Sequence, residues 1–184
     1  MRKNLDIIAA IAVFLAVSPF AQAANDFYIG TSLERITDKG DLAPAIHPRA
    51  LAVKGGIALN PYFAVEARYT TGIKSGDAIV SGVKVDLDVD HLYGAYVKGM
   101  MPIGGVSPYL LVGYSHGKET ATVKAYNMKQ SDSASGSSFG IGIDIPITQT
   151  LSFNAEWARF VKGKDDAGVG SKVEGLSAGV AMYF

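Results

Sequence analysis

Ser115 and His116 are the first residues of this 184-residue chain to consider for chemistry, because they are its only adjacent hydroxyl and imidazole side chains. A serine beside a histidine base can act as a nucleophile. Consecutive residues of a β-strand point to opposite faces, so on a strand these two side chains cannot form one nucleophile and its base. We therefore predict no catalytic residues and a protein that is not an enzyme.

The histidines and glycines also fail to indicate a metal or cofactor site. His91 and His116 are predicted at the outer rim of the fold without a carboxylate on the same face, and His47 is predicted in a loop. Gly140 and Gly142 lack the third glycine and the following helix of a dinucleotide-binding motif. We predict no bound metal and no cofactor.

Asp86, Asp88 and Asp90 form an acidic ladder at two-residue spacing. A calcium loop of the EF-hand type needs a glycine after the third acid, where His91 stands instead. Two interpretations stay open for the ladder. It is either a solvated extension of a strand or a weak site for divalent cations.

The elements that position these residues are predicted to be β-strands. Alternation of apolar and polar residues with a period of two recurs along the chain, which indicates strands with two different faces. The alternating segments are 27–34, 51–59, 63–70, 85–98, 109–115, 138–145, 151–158 and 175–184. The predicted short turns are 60–62, 103–107 and 146–150, and the predicted longer links are 36–48, 74–82, 119–135 and 161–170. This rhythm predicts an all-β, antiparallel up-and-down meander, with the serine-rich tract Ser131–Ser135 in a loop tip.

The N-terminus is typical of a secretory signal peptide. Arg2 and Lys3 precede an apolar run, and small residues at Ala21 and Ala23 form a cleavage pattern. The apolar run of about eleven residues is too short for a membrane-spanning helix, so an uncleaved anchor is the weaker alternative. We predict a cleaved signal peptide at residues 1–23 and one domain at residues 24–184.

Composition excludes several classes of protein. Seventeen basic and seventeen acidic residues give no net charge, which does not suggest a nucleic-acid partner. The chain is 48% hydrophobic, which argues against disorder, and it has no cysteine, which excludes a disulfide scaffold.

Alternating strands behind a signal peptide fit either a soluble periplasmic sandwich or a barrel whose apolar face meets lipid. The middle of the apolar face has no charge, as lipid requires. Glycines gather on the polar face, where a narrow barrel must make room for inward side chains. Aromatic residues of the apolar face fall near strand ends, as in the two interfacial girdles of a membrane barrel: Phe27, Phe63, Tyr69, Tyr93, Tyr114, Phe139, Phe153 and Trp157. We predict an eight-stranded antiparallel transmembrane β-barrel.

Eight strands enclose an interior that side chains just fill, so the lumen is predicted to hold a packed polar plug rather than an open channel. Charges there must pair or find water. The predicted lumenal charge network consists of Glu66, Arg68, Lys98, Asn154 and Glu156.

The chain resembles the small outer-membrane barrels typified by the outer membrane protein A transmembrane domain and the opacity (Opa-like) proteins. The residues that carry the resemblance are 27–30, 60–66, 107–114 and 180–184. The terminal Phe184, with apolar residues at every second position before it, is similar to the signal that the assembly machinery of this family reads. The resemblance implies that Val180, Met182, Tyr183 and Phe184 form this assembly signal. It also implies a switchable ion-pair gate at Glu66, Lys98 and Glu156, to which a static network is the alternative.

From this resemblance we expect a cell outer membrane protein with a structural or adhesin-like role through its extracellular loops. Its expected partners are outer-membrane lipid and lipopolysaccharide, the outer-membrane assembly machinery, and a host surface or protein contacted by the loops. The main alternative is a narrow or gated porin-like pore for small solutes. A lipid A-modifying enzyme and a soluble periplasmic binding protein are further alternatives.

Overall fold

The computed structural model describes residues 27–39, 47–80, 83–123, 128–161 and 172–184. The predicted signal peptide and parts of the longer links lie outside these residues. The described strands are β1 (Phe27–Lys39), β2 (Arg49–Asn60), β3 (Phe63–Lys74), β4 (Gly76–Val80), β5 (Val83–Met100), β6 (Ser107–Val123), β7 (Met128–Pro146), β8 (Leu151–Val161) and β9 (Lys172–Tyr183). In this part of the chain, no helix has the length and hydrophobicity to cross a membrane.

The strands close into a barrel. Antiparallel pairing runs in the order β3, β2, β1, β9, β8, β7, β6, β5, and the ring closes because β3 also pairs with β5. The short strand β4 pairs with β5 beyond the end of β3, so it extends the wall without adding a ninth member to the ring. The predicted eight-stranded antiparallel barrel is confirmed. Closure leaves no free strand edge around the ring.

The two faces of the wall differ as the alternation predicts. In β3, Glu66 and Arg68 are buried inside the barrel, whereas Val65 and Tyr69 are exposed on the outside. Ile141 of β7 is 51% exposed. A soluble sandwich would enclose such apolar side chains and expose the charges, so the structure excludes it.

Tight turns join the strands at the end of the barrel where β1 begins and β9 ends. Gly104 and Gly105 have φ values of 57° and 87°, a left-handed geometry that suits glycine, and they form the two-residue turn between Ile103 and Val106. At the β2–β3 turn, Asn60 Oδ1 accepts hydrogen bonds from the backbone N–H groups of residues 62 and 63 at 2.8 and 2.9 Å. These connections keep sequential strands adjacent.

Three strands are longer than their neighbours. β5, β6 and β7 contain 18, 17 and 19 residues, whereas β2, β3 and β8 contain 12, 12 and 11. A tilted strand needs only about 9 to 11 residues to cross a membrane. The extra residues form a four-stranded sheet beyond the barrel, which we call the projecting sheet; it consists of β4 and of residues 83–91, 118–123 and 128–133.

The prediction of loops at 74–82 and 119–135 was therefore wrong for most of their residues. The serine-rich tract Ser131–Ser135 is not a loop tip, because it pairs with β6 from Thr120 to His116. Residues 119–135 are mostly polar, so the apolar–polar alternation that marks the other strands is weak there. The backbone ladder and hydroxyl contacts such as Thr120 Oγ1 to Ser131 Oγ, at 2.8 Å, hold the strands together instead.

A β-bulge at Asp90 reverses the faces of β5. Val89 pairs with Glu119 and His91 pairs with Lys118, so β5 has one extra residue at this point. The alternation predicted Val89 on the lipid face and Asp90 on the face of Lys98. Both assignments were wrong: Val89 is inside at 7% exposure, and Asp90 is exposed.

Candidate functional site

An ion pair crosses the centre of the lumen. Arg68 of β3 donates from both terminal nitrogens to the two carboxylate oxygens of Glu156 of β8, at 2.5 and 2.7 Å. In the closed ring β3 and β8 are four strands apart in either direction, so this pair joins opposite walls. Arg68 Nε also donates to Glu66, its neighbour on the same face of β3. One guanidinium thus bridges two buried carboxylates, the bidentate geometry in which arginine pairs most strongly.

Two tyrosines complete the coordination of these carboxylates. Tyr28 Oη donates to Glu66 Oε2 at 2.5 Å, and Tyr109 Oη donates to Glu156 Oε2 at 2.8 Å. Each carboxylate therefore receives both a cationic and a phenolic donor. A buried carboxylate needs such donors to offset the water that it has lost.

Glycines on the facing strand make room for these rings. Tyr28 pairs across the strands with Gly56, Tyr109 with Gly142, and Tyr96 with Gly113. A Cβ atom added at any of these glycines would overlap the tyrosine ring opposite. The inward glycines were predicted to accommodate long charged side chains. Gly30 does accommodate a charged side chain, because it lies against Lys54. Gly56, Gly113 and Gly142 accommodate tyrosine rings instead.

The two buried lysines have separate partners. Lys54 Nζ donates to Asn154 Oδ1 at 2.8 Å. Lys98 Nζ lies 2.5 Å from Asp144 Oδ2 and 4.0 Å from the centre of the Tyr109 ring, a cation–π contact.

All five residues of the predicted lumenal network are buried inside the barrel, and the contacts above link Glu66, Arg68 and Glu156 directly. Lys98 and Asn154 belong to separate pairs. The network prediction missed Lys54, Asp144 and the tyrosines. The alternation places them on the inward face, but it does not reveal which inward residues meet across the lumen.

A layer of apolar side chains lies in the half of the lumen beyond this network, toward the projecting sheet. Ile36, Val89, Phe160 and Val173 belong to one buried cluster there. They line a small cavity of about 40 Å³. The prediction of a polar plug therefore did not include this apolar layer. The sequence analysis did not predict this apolar layer, because the bulge at Asp90 reverses the face that Val89 occupies and because Ile36 was predicted in a link.

Ser115 and His116 lie on opposite sides of the wall. Ser115 Oγ is 2.7 Å from the hydroxyls of both Tyr96 and Ser138 in the lumen. His116 is outside, where its Nδ1 is 2.7 Å from Ser135 Oγ. The rings of Tyr93 and His91 lie 5.1 and 6.5 Å from the His116 ring, centre to centre.

The remaining candidate residues are placed as follows. His47, beside β2, has its Nδ1 3.1 Å from Thr37 Oγ1. In the acidic ladder, Asp88 accepts a hydrogen bond from Ser75, and Asp90 accepts one from Thr120 at 2.8 Å. Among the described residues, no group of three or more acidic, histidine or cysteine side chains is arranged to hold a metal ion.

The predicted girdle residues all face outward in two zones. Near the short turns these are Phe27, Phe63 and Phe153; toward the projecting sheet they are Tyr69, Tyr93, Tyr114, Phe139 and Trp157. The Phe139 and Trp157 rings pack edge to face at 5.8 Å, and the Arg159 guanidinium lies over both.

The C-terminal strand closes the ring against β1. The backbone N–H of Phe184 donates to Phe27 O at 2.8 Å, and the Tyr183 ring packs inside on Tyr28 at 5.2 Å. Val180 and Met182 alternate with the inward residues on β9. Their predicted role as an assembly signal stays a prediction.

An apolar exterior with aromatic zones at two heights, around a charged and hydrogen-bonded interior, defines a transmembrane β-barrel. The sequence profile of the family described as "Outer membrane protein beta-barrel domain" matches residues 7–184. The chain belongs to this family, and its place is the outer membrane. Comparison with curated protein sequences finds no match.

Solved structures with the same fold support this assignment. Neisserial surface protein A superimposes with a TM-score of 0.65 and 18% identity, covering 86% of this chain and 97% of that one. Ail, the attachment invasion locus protein of Yersinia pestis, has a TM-score of 0.61 and 20% identity, with 86% and 98% covered. OprG from Pseudomonas aeruginosa has a TM-score of 0.58 and 14% identity, with 86% and 96% covered. At these identities the likeness is one of fold.

Proposed function

We propose that this protein acts at the cell surface as a structural or adhesin-like barrel, through its projecting sheet and extracellular loops. The observation that carries the proposal is the Arg68–Glu156 ion pair across the full width of the lumen. Together with the apolar layer around Phe160 and Val173, it obstructs the path of a hydrated solute. Because the lumen is closed to such solutes, we expect the function to reside on the outer surface of the molecule.

The projecting sheet supports the same proposal. It extends three strands of the barrel beyond the length that a membrane needs, and it carries hydrogen-bonded polar side chains such as those of Asp90, Thr120 and Ser131. One solved barrel of this fold bears the name attachment invasion locus protein, and another is a surface protein. These names suggest, by analogy of fold, that contact with other surfaces is the work of this chain too.

The proposal is of a non-catalytic protein. The adjacent Ser115 and His116 point to opposite sides of the wall, and the rings around His116 belong to His91 and Tyr93. A serine nucleophile depends on a base that a third group orients, usually a carboxylate. Stacked aromatic rings do not supply that group.

A gated pore is the second candidate, because Arg68 is shared between two carboxylates. Breaking its bonds to Glu156 while it keeps Glu66 would remove this link between β3 and β8. The family resemblance implied a gate at Glu66, Lys98 and Glu156; in this structure Arg68 holds the two carboxylates, and Lys98 pairs with Asp144 instead.

Two measurements test the proposal. We expect the purified protein to produce no reproducible conductance steps in planar bilayers, and we expect cells that express it to bind surfaces to which the parent cells do not adhere. Removing the projecting β6–β7 hairpin from Thr120 to Ser131 should abolish that adhesion. Steps that Lys98→Ala abolishes or Glu156→Gln alters would favour the pore, and adhesion unaffected by the hairpin deletion would contradict the surface role.

A further inference from the structure

We propose that an acid-sensitive hinge joins the projecting sheet to the barrel, and that this hinge is rigid at neutral pH and loosens when His91 and His116 become protonated. The hinge is built on four outward side chains that we call the junction cluster: His91, Tyr93, His116 and Lys118. The inference concerns the regulation of the surface named in the proposed function. It rests on that function only for its consequence, which is a surface contact that acid weakens.

Strand β5 is held least firmly at the point where the projecting sheet leaves the barrel. Its pairing with β3 ends at Leu92, and its pairing with β4 begins at Leu87. Among the described residues, 88–91 therefore pair with β6 alone, and the bulge at Asp90 interrupts that ladder as well. A segment with few backbone hydrogen bonds opens locally at low cost. Side-chain contacts that span this point therefore decide how firmly the sheet is attached.

The junction cluster spans this point on the outer side of the wall. His91 and Lys118 are a direct cross-strand pair at the base of the projecting sheet, and Tyr93 and His116 are the next outward pair, in the barrel. The His116 ring lies 5.1 Å from the Tyr93 ring and 6.5 Å from the His91 ring, and the His91 and Tyr93 rings stack at 6.0 Å. Ring contacts of this kind stabilise neighbouring strands. With neutral imidazoles, the cluster ties the sheet to the barrel.

Acid adds charge to the cluster. Histidine is the side chain whose charge ordinarily changes between about pH 5 and 8. Protonation of both rings places two positive charges 6.5 Å apart, centre to centre, on the same face as the Lys118 ammonium group. Like charges on neighbouring strands repel each other and weaken the pairing. Both histidines are only partly exposed, so water and salt screen this repulsion incompletely.

The other groups that face the histidines do not balance this charge. The carboxylates on the same side of β5 are Asp90 and Asp88, which accept hydrogen bonds from the hydroxyl groups of Thr120 and Ser75. Three cations then share this face with two carboxylates, so acid leaves excess positive charge at the hinge. The facing groups on the neighbouring strands carry no charge at these pH values: Tyr69 of β3, and Ser133 and Ser135 of β7.

The test measures hydrogen exchange of the refolded protein in phosphatidylcholine nanodiscs at about pH 7.5 and about pH 5.5, on the two sides of the histidine range. Exchange is expressed as protection, the rate of an unstructured amide divided by the measured rate at the same pH, so the pH dependence of the exchange chemistry cancels. We expect the amides of 118–123 and 128–133 to lose protection by about tenfold at the lower pH, a conservative size for two charges at this separation near a protein surface. The amides of β8, within the barrel, should keep their protection.

The variants separate charge from packing. His91→Gln combined with His116→Gln removes both titrating rings and should make protection independent of pH in this range. Lys118→Gln removes one positive charge and should reduce the acid effect, whereas Asp90→Asn removes a carboxylate and should enlarge it. A purely structural role of these side chains would not produce effects of opposite sign. The control is His47→Gln, which replaces the one remaining histidine, beside β2, and should behave like the wild type.

The inference is overturned if the wild-type projecting sheet is equally protected at both pH values, if the double histidine variant keeps the acid effect, or if β8 loses as much protection as the sheet. A gel-mobility shift on heating verifies folding. If the double variant does not fold, equal acid effects in Lys118→Gln and Asp90→Asn overturn the inference. Adhesion at neutral pH tests the proposed function separately. Adhesion without a pH effect on protection removes this inference alone, and a pH effect without adhesion removes the surface role alone.

Discussion

Arg68 is the residue on which the interior depends most. It donates hydrogen bonds to both Glu66 and Glu156, and both carboxylates are nearly inaccessible at 1% and 4% exposure. These buried ion pairs need not stabilise the barrel more than well-packed apolar side chains in their place would, because burying charges costs solvation energy. Removing one partner is a different matter, since it leaves buried charge without compensation.

We therefore expect Arg68→Ala to lower the free energy of unfolding by about 3–5 kcal/mol. Urea unfolding in lipid vesicles, followed by the fluorescence of Trp157, measures it. The matched control is Arg159→Ala on the outer surface, where Arg159 is partly exposed and pairs with Glu174; there we expect a loss of about 1 kcal/mol or less. Equal losses of unfolding free energy in the two variants would show that the ion pair across the lumen stabilises the barrel no more than the surface ion pair does.

Gly56 permits Tyr28 to reach Glu66. A Cβ atom at Gly56 would overlap the Tyr28 ring, whereas at the adjacent Gly55 it would meet nothing closer than 4.0 Å. We expect Gly56→Ala to destabilise the barrel by about 1–3 kcal/mol, the usual cost of overpacking, and Gly55→Ala to have a much smaller effect. Adding Tyr28→Ala to Gly56→Ala should cost less than the two separate effects combined. Strict additivity would rule out the clash as the cause.

At the scale of the element, the bulge in β5 decides which residues of this strand face the lumen. The chain has no cysteine, so single cysteines report on accessibility without background labelling. We expect Asp90→Cys to react quickly with a hydrophilic maleimide in the folded state and Val89→Cys to be protected. Regular alternation without a bulge predicts the reverse order of reactivity. Both cysteines should react equally in denaturant.

The last strand, β9, has two roles that a single substitution separates. Phe184 closes the ring through its backbone N–H, which Phe184→Ala retains. We expect this variant to refold in detergent nearly as well as the wild type but to accumulate much less in the outer membrane of cells, as measured by fractionation. Phe153→Ala, which removes another outward aromatic ring, is the control and should accumulate normally. Equal accumulation of the two variants would contradict the assembly signal.

At the scale of the whole molecule, ring closure should make the barrel resistant to detergent. Every strand of the ring is paired on both sides, so unfolding must break a complete ladder before any edge is free. We expect unheated protein in dodecyl sulfate to migrate faster on a gel than boiled protein. Identical mobility before and after boiling would argue against a closed barrel, and recovery of the mature protein in an osmotic-shock fluid would argue against a membrane location.

The sequence by itself determined the architecture and the two faces of most strands. A period of two is the geometry of the pleat, and an apolar outer side with glycine and charge on the other side fits a narrow barrel in lipid, so β3, the lower part of β6 and β8 follow the prediction. The same rule placed Glu66, Arg68, Lys98, Asn154 and Glu156 inside.

Only the tertiary structure decided which inward side chains meet, where the faces reverse and how far the strands extend. Arg68 pairs with Glu156 because closure of the ring places β3 opposite β8. No local sequence pattern shows that these two strands face each other across the lumen. Asp90 is an extra, unpaired residue in β5. It therefore reverses the face of the wall that each preceding residue of the strand occupies. In the projecting sheet, β6 and β7 run through residues 119–135, which are mostly polar, so their backbone pairing with neighbours is accompanied by only a weak alternation.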